Sequence, residues 1–272
     1  MAMVVVVRGG GDLASGVILR LHRAGLRVAV AELPQPLTVR RMVSFAEAIY
    51  AGEITIENVI GRRAPDAGDT LRLMQIFSQN KVPVVADPKG VIIHTLHPTV
   101  VVDARMLKYD VPDRSYSAPL VIGLGPGFTA GDNCHAVIET NRGHNMGRVI
   151  WKGTAEPDTG IPEAVHEYRN ERVLRTPVSG ILENQVDICA HVEAGQAIAR
   201  IDGHVLEAPF TGVLRGLMHT GLEVQEGWKI GDLDPRDDLG LCTLVSDKAL
   251  AIGGGVLEAI LSRPDLRPKL WS

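Results

Sequence analysis

The chain has 272 residues, of which 45% are hydrophobic and 22% charged, with a formal net charge of −4. This length accommodates a sizeable core and two domains, and the ordinary apolar content excludes wholesale disorder. Charge is spread without long runs of one sign. That excludes a nucleic-acid or membrane-surface patch as the main activity and leaves room for a small anion held by local arginines.

The amino terminus is apolar only from Met1 to Val7 before Arg8 and a glycine run, too short for a secretory signal. No later stretch approaches the ~20 apolar residues of a membrane span, so a cytoplasmic protein is expected. Met3 to Arg8 reads as a strand that stops at Gly9-Gly10-Gly11-Asp12. Leu13, Val17, Leu19 and Leu21 then recur at helical spacings as far as Gly25, and Leu26 to Glu32 reads as a second strand. Together these make a βαβ unit, whose crossover is right-handed and whose sheet is parallel.

Thr38 is placed to cap a helix running to about Tyr50 and closed by Gly52, and Asp69 to cap another to about Gln79. Continuous apolar runs at Val82 to Ala86, Val100 to Val102, Leu120 to Leu124 and Ala136 to Ile138 suit strands covered on both faces. Prolines and acidic residues from Glu156 to Glu171 mark a linker. Beyond it, Pro177, Gly180, Leu182, Val192, Gly195 and Ile198 recur 32 positions later as Pro209, Gly212, Leu214, Val224, Gly227 and Ile230. Such a duplication predicts two interlocking halves of a small β-sandwich. Asp202-Gly203, between the copies, predicts a tight type I′ hairpin. Ser246 caps a final helix ending before Pro264, in which Gly253-Gly254-Gly255 implies close packing or a break. The expected organisation is 1–155, 156–172 as linker, 173–236 as the duplicated domain, and 237–272 as a C-terminal helical segment.

Chemistry-bearing residues gather after the strands. Gly9-x-Gly11-x-x-Ala14, with Gly10 and Asp12 inside it, fits the dinucleotide fingerprint in its alanine variant, and Glu32 falls 21 residues after Gly11, where an acid can bind a ribose. The alternative is a glycine turn that allows tight strand-to-helix packing, since the Asp12 carboxylate would repel a diphosphate. A second loop carrying Gly123, Gly125, Gly127 and Thr129 could form a backbone nest for an anion. Asp87, Asp103, Arg105, Glu139, Arg142 and His144 belong to the same strand-end edge. Taken singly, Asp103 with Arg105 reads as a structural ion pair and His144 as a turn histidine. In the second domain Lys229, Asp232, Asp234 and Arg236 read either as surface ion pairs or as groups closing an interdomain site. Cys134, Cys189 and Cys242 are odd in number and lack CxxC spacing, so neither a disulfide framework nor a structural metal is expected; small core residues are. Cys134, beside His135, is the one thiol near the ligand edge. No catalytic set of any familiar kind is legible.

The duplicated segment resembles the biotinyl/lipoyl carrier domain, a barrel-sandwich hybrid, without the lysine at Ile201 to Leu206 that would carry biotin or lipoate. The implied fold class is therefore a Rossmann-like α/β domain followed by a barrel-sandwich hybrid and a C-terminal helix. Over nearly its whole length the chain is similar to the YqeB-type family of selenium-dependent molybdenum hydroxylase system proteins. The residues that carry this are Arg8 to Ser15 with Leu21 to Gly25, Gln35 to Glu47 with Arg40-Arg41, Val102 to Lys108, Gly123 to Gly131, Val137 to His144 and Asp234-Pro235-Arg236. The resemblance implies an accessory role in maturation of molybdenum hydroxylases of the xanthine dehydrogenase type. It also implies a nucleotide-binding half like that of XdhC-type maturation factors and the target hydroxylase as partner; the Gly9 to Ala14 loop and the Gly123 to Gly127 nest could then cradle a molybdopterin cytosine dinucleotide, whereas the fingerprint by itself suits NAD(P). Two other classes stay open: an NAD(P)-dependent oxidoreductase and a non-catalytic docking protein or chaperone.

Overall fold

The computed structural model describes residues 3–107, 118–158, 168 and 170–270. Lys108 and residues 159–167 and 169 of the expected linker lie outside the described residues. The chain divides into two compact units, the first of Met1–Pro36, Ser44–Thr159 and Val245–Ser272, the second of Leu37–Val43 and Gly160–Leu244. This departs from the sequence boundaries at two places. The C-terminal helix belongs to the first unit, and a short N-terminal stretch belongs to the second.

The first unit contains β1 (Val4–Arg8), β2 (Arg27–Glu32), β3 (Glu53–Ile56), β4 (Val59–Ala64), β5 (Val82–Ala86), β6 (Val100–Asp103), β7 (Leu120–Leu124), β8 (Thr129–Ala130), β9 (Ala136–Ile138), β10 (Val149–Ile150) and β11 (Gly153–Thr154). β8 and β11 pair with each other; the rest form a nine-stranded sheet ordered β10-β9-β7-β6-β1-β2-β5-β4-β3. From β9 across to β4 every neighbouring pair is parallel, and only the edge strands β10 and β3 run antiparallel. Valines and isoleucines fill the central strands because β-branched side chains suit a pleat buried on both faces. The strand order reverses at β1, with β2 on one side and β6 on the other.

Helix α1 (Asp12–Arg23) follows β1 directly, and Asp69 caps α3 (Thr70–Ser78) by accepting from the Arg72 amide. Between them the sequence reading needs correction. In place of one helix from Thr38 to Tyr50 there are 3-10 turns at Arg41–Val43 and Phe45–Glu47, followed by the single turn α2 (Ala48–Ala51). Ser44 is extended there, because the residues before it are drawn into the second unit, where Arg41 Nε donates to the Leu217 carbonyl at 2.6 Å. The β3–β4 hairpin and the short helix α4 (Val91–Leu96) were not read from sequence. The hairpin turns on Glu57-Asn58, both left-handed (φ 43 and 72) without a glycine to signal it.

The second unit holds β12 (Val173–Arg175), β13 (Gly180–Asn184), β14 (His191–Val192), β15 (Ala197–Ile201), β16 (His204–Glu207), β17 (Gly212–Leu217), β18 (Glu223–Val224), β19 (Lys229–Asp234) and the turn α5 (Gly240–Thr243). They form two four-stranded antiparallel sheets, β12-β19-β17-β14 and β16-β15-β13-β18. The duplication seen in the sequence is a duplication of strands. The first strand of each copy pairs with the second of the other, β13 with β18 and β17 with β14, so the halves interlock. Leu182, Val192 and Ile198 and their counterparts Leu214, Val224 and Ile230 are all buried in one core, closed by Tyr168 stacked on Phe210. Gly195 and Gly227 are both left-handed, and the β15–β16 hairpin turns on Asp202-Gly203 with φ 46 and 82, as a type I′ turn demands.

α6 (Asp247–Leu261), capped by the Ser246 hydroxyl accepting from the Ala249 amide, lies against α1 in the first unit. Its glycine run is a close crossing rather than a break. A Cβ on Gly253 would stand 2.5 Å from the Gly16 carbonyl oxygen, and one on Gly16 would stand 2.2 Å from that of Ala249. Among the described residues no helix is long and apolar enough to cross a membrane.

Candidate functional site

The sheet register sets the chemistry-bearing residues along one edge. Arg8, at the end of β1, lies opposite Ala31 of β2 and Asp103 of β6; Asp103 lies opposite Gly123 of β7, and Glu32 opposite Ala86 of β5. All are carboxyl ends of parallel strands, and the glycine loop sits where the strand order reverses, the place at which open α/β sheets leave a crevice.

The glycine loop is closely built into its own surroundings. Gly9 is left-handed (φ 91), and a Cβ there would approach the Ala104 carbonyl at 3.1 Å; at Gly10 it would meet the Ala46 amide nitrogen at 2.8 Å. The Ala46 amide donates to the Gly10 carbonyl, and the buried Ser15 hydroxyl donates to Gly11 while accepting from the Phe45 amide. Glu32 reaches back to the loop, one carboxylate oxygen accepting from Gly10 N at 2.6 Å and the other from Leu33 N at 2.7 Å. Burial raises the Glu32 carboxyl above its ordinary range, against the lowering effect of those two amides. Each oxygen retains a lone pair for a hydroxyl donor. Gly11 is the N-cap of α1 without a side-chain cap, and Asp12 stands in the first turn. Ala14 is buried beneath it.

The neighbouring loops are engaged in the same way. Asp87 accepts from the Ile92 amide at the start of α4, and Arg8 donates to the Pro88 carbonyl. Asp103 is fully buried and held by the Arg105 guanidinium in a two-point fork, 2.9 and 2.6 Å. The second glycine loop folds over itself. A Cβ on Gly123 would fall 2.2 Å from the Phe128 ring, one on Gly125 would fall 2.5 Å from the Thr140 hydroxyl, and the Gly125 amide donates to Ile138. Gly127 is left-handed, and Thr129 N donates to Asn133. Glu139, buried, accepts from the amides of Asn141 and Glu156. Arg142 forms a two-point pair with Asp247 of α6, whereas His144 is exposed. Cys134 is buried, and burial pushes its thiol up to about 11, which makes it a poor nucleophile or sulfur carrier. Its hydrophobic neighbours are Val121, Phe128 and Val137.

In the second unit the charges around β19 form a ladder that the sequence reading resolved only in part. Asp232 accepts from Arg172 Nη2 at 3.0 Å and from Arg215 Nε at 2.8 Å; Arg215 continues to Asp234 at 3.2 Å, and Arg236 closes a fork on Asp234 at 2.9 and 2.7 Å. Both aspartates are about 1% exposed. Arg172 fell within the expected linker, which offered no signal to single it out, and Arg215 within an otherwise apolar strand, where the lone arginine was the signal available. Lys229 is exposed.

Burial alone would raise Asp234, but the Arg236 side chain and amide together with Arg215 hold its carboxyl down at about 2. The native pKa is depressed, so the stabilisation is complete above the ordinary value of 3.8 and is lost as pH falls through about 2. An acid titration followed by circular dichroism should therefore show about 2 kcal/mol disappearing between roughly pH 4 and 2. A variant Asp234→Asn should lack that component, and an identical acid profile in both proteins would refute it.

No family model matches the chain. As a class it is a mixed α/β protein with a large, mainly parallel sheet and further antiparallel sheets. It is similar to the uncharacterized protein YqeB of Escherichia coli (strain K12), with 46% identity over 257 residues that cover 94% of this chain. They cover 47% of that protein, so the chain spans about half the length of this relative. That likeness supports the YqeB-type reading of the sequence. Among solved structures, an aspartoacylase family protein of Mesorhizobium loti aligns over 86% of this chain and 85% of its own at 12% identity and a TM-score of 0.27. The ectoine utilization protein EutE of Ruegeria pomeroyi does so over 86% and 85% at 12% identity and a TM-score of 0.28. Scores this low carry no argument about fold or activity.

Proposed function

We propose that the first unit is a Rossmann-like domain binding a nucleotide-type ligand, and that the chain serves as an accessory factor in maturation of molybdenum hydroxylases. The observation that carries the ligand reading is the meeting of the Gly9 to Gly11 loop, the N-terminus of α1 and the Glu32 carboxylate where the strand order reverses. A helix N-terminus favours a phosphate, and Glu32, fixed by two amides, offers its remaining lone pairs to ribose hydroxyls. Molybdopterin cytosine dinucleotide supplies both groups, as does NAD(P). The maturation role rests on the sequence resemblance, with the second unit as a barrel-sandwich hybrid lacking a carrier lysine and serving to grip the target hydroxylase.

One observation favours the docking reading as the alternative: both glycine loops pack on their own chain, through Ala46, Ala104 and Phe128, as tight turns do. Calorimetry on the full chain against CDP, CTP, molybdopterin cytosine dinucleotide, NAD(H) and NADP(H) separates the readings. Gly11 has an extended backbone that valine tolerates. Gly11→Val should thus leave the fold intact and weaken ligand binding by roughly tenfold or more, about 1.4 kcal/mol. Unchanged affinity would remove the ligand from this loop. A nicotinamide preference would favour an oxidoreductase, and binding to none a docking protein.

A further inference from the structure

Three sulfur atoms meet in the second unit, contributed by segments far apart in the chain. Met42 lies in the 3-10 turn Arg41–Val43, Cys189 in the turn between β13 and β14, and Cys242 in α5. The Met42 Sδ and Cys189 Sγ atoms are 3.5 Å apart, and the Cys242 thiol lies within hydrogen-bonding reach of Cys189. Each segment is held in place. Arg41 donates to Leu217, Arg40 donates to the Leu241 carbonyl at 2.8 Å and the Leu244 carbonyl at 3.0 Å around Cys242, and the left-handed Cys189 (φ 72) donates its amide to Leu214.

We propose that Cys189, Cys242 and Met42 form a binding site for a monovalent soft cation, Cu(I). Two thiolates and a thioether select Cu(I) over harder ions; among the described residues no group of three or more His, Cys, Asp or Glu is arranged to hold a metal ion, so no imidazole or carboxylate completes this set. Sulfurs arranged trigonally at metal–sulfur distances near 2.3 Å stand about 4 Å apart, so the observed spacing needs to open by only about half an ångström. Cys242 is buried, but Cys189 is partly exposed and Met42 is 38% exposed, which gives the ion a route from solvent. Binding displaces one proton from each thiol, and the resulting complex has a charge of −1. The Arg40 and Arg215 guanidiniums, whose fields reach Cys242, favour that anionic complex.

The test is an anaerobic titration of the full chain with Cu(I) held by the chromophoric chelator bicinchoninate. The expected result is withdrawal of one equivalent by the native chain. Met42→Leu, a change at a part-exposed site that leaves the core alone, should weaken retention by roughly tenfold, and Cys189→Ser by roughly a hundredfold. No withdrawal of copper, or wild-type retention in both variants with native circular dichroism, would overturn the proposal.

Discussion

Asp232→Ala is expected to lower the stability of the second unit by about 3–5 kcal/mol, the loss typical when one partner of a buried ion pair is removed. Two guanidiniums, Arg172 just before β12 and Arg215 on β17, converge on this carboxylate and already oppose each other. Burial and Arg215 both weaken the hold of Arg172 on its proton, and Asp232 offsets them. Without the carboxylate the two guanidiniums face one another, and Arg215 retains its longer contact to Asp234, a carboxylate that Arg236 also holds in a two-point fork. Asp232→Asn keeps the shape and loses the charge, so it should fall between alanine and the native chain. Urea unfolding followed by far-ultraviolet circular dichroism measures both. A loss under about 1 kcal/mol for the alanine variant would show that the ladder behaves as a solvated surface network.

Gly16→Ala should be nearly as severe in the first unit. The added methyl carbon would stand 2.2 Å from the Ala249 carbonyl oxygen, which is backbone and cannot rotate away. Helices α1 and α6 must then separate, which loosens the packing of α6, whose Ile252 and Val256 are now fully buried. Overpacking typically costs about 1–3 kcal/mol, and a backbone clash this close belongs at the upper end, about 3 kcal/mol, a fall in Tm of roughly 6–12 °C for a chain of this size. Gly254→Ala is the internal control. No atom lies within 4 Å of the site its Cβ would take, so helix propensity alone acts and the variant should gain about 0.5–1 kcal/mol. Equal effects for the two substitutions, read by differential scanning calorimetry, would refute the close crossing.

The elements legible in the sequence are those whose signals are local. Gly9 to Gly11 marks the end of β1, Asp69 caps α3, Asp202-Gly203 turns the β15–β16 hairpin, and the 32-residue repeat sets the paired strands of the second unit. The failures have a common physical cause, which is tertiary demand on a segment whose local pattern suggests something else. Residues 37–43 look helical with those that follow, yet Arg40 and Arg41 satisfy carbonyls some two hundred positions away, and the segment becomes a 3-10 turn. Glu57-Asn58 makes a hairpin turn without glycine because Glu57 is also tied to Arg23 and to the Val245 amide. Of the candidate site, the strand-end edge was legible because strand ends follow from the parallel alternation. The engagement of Glu32 with Gly10, of Phe128 with Gly123, and of Arg172 with Asp232 was not, since each joins residues by shape rather than by spacing.

The pairing of α1 with α6 also bears on the order in which the chain acquires its structure during synthesis. α1 is translated before the second unit, but the surface that covers Gly16 is translated only after that unit. Until then the nascent first unit presents an unshielded apolar stripe along α1, whereas the residues of the second unit end at Leu244. Vectorial synthesis therefore favours completion of the later unit before the earlier one, and contacts of such long sequence separation close slowly. The nascent chain is thus exposed to aggregation and to chaperone capture at α1 from the translation of that helix until α6 emerges.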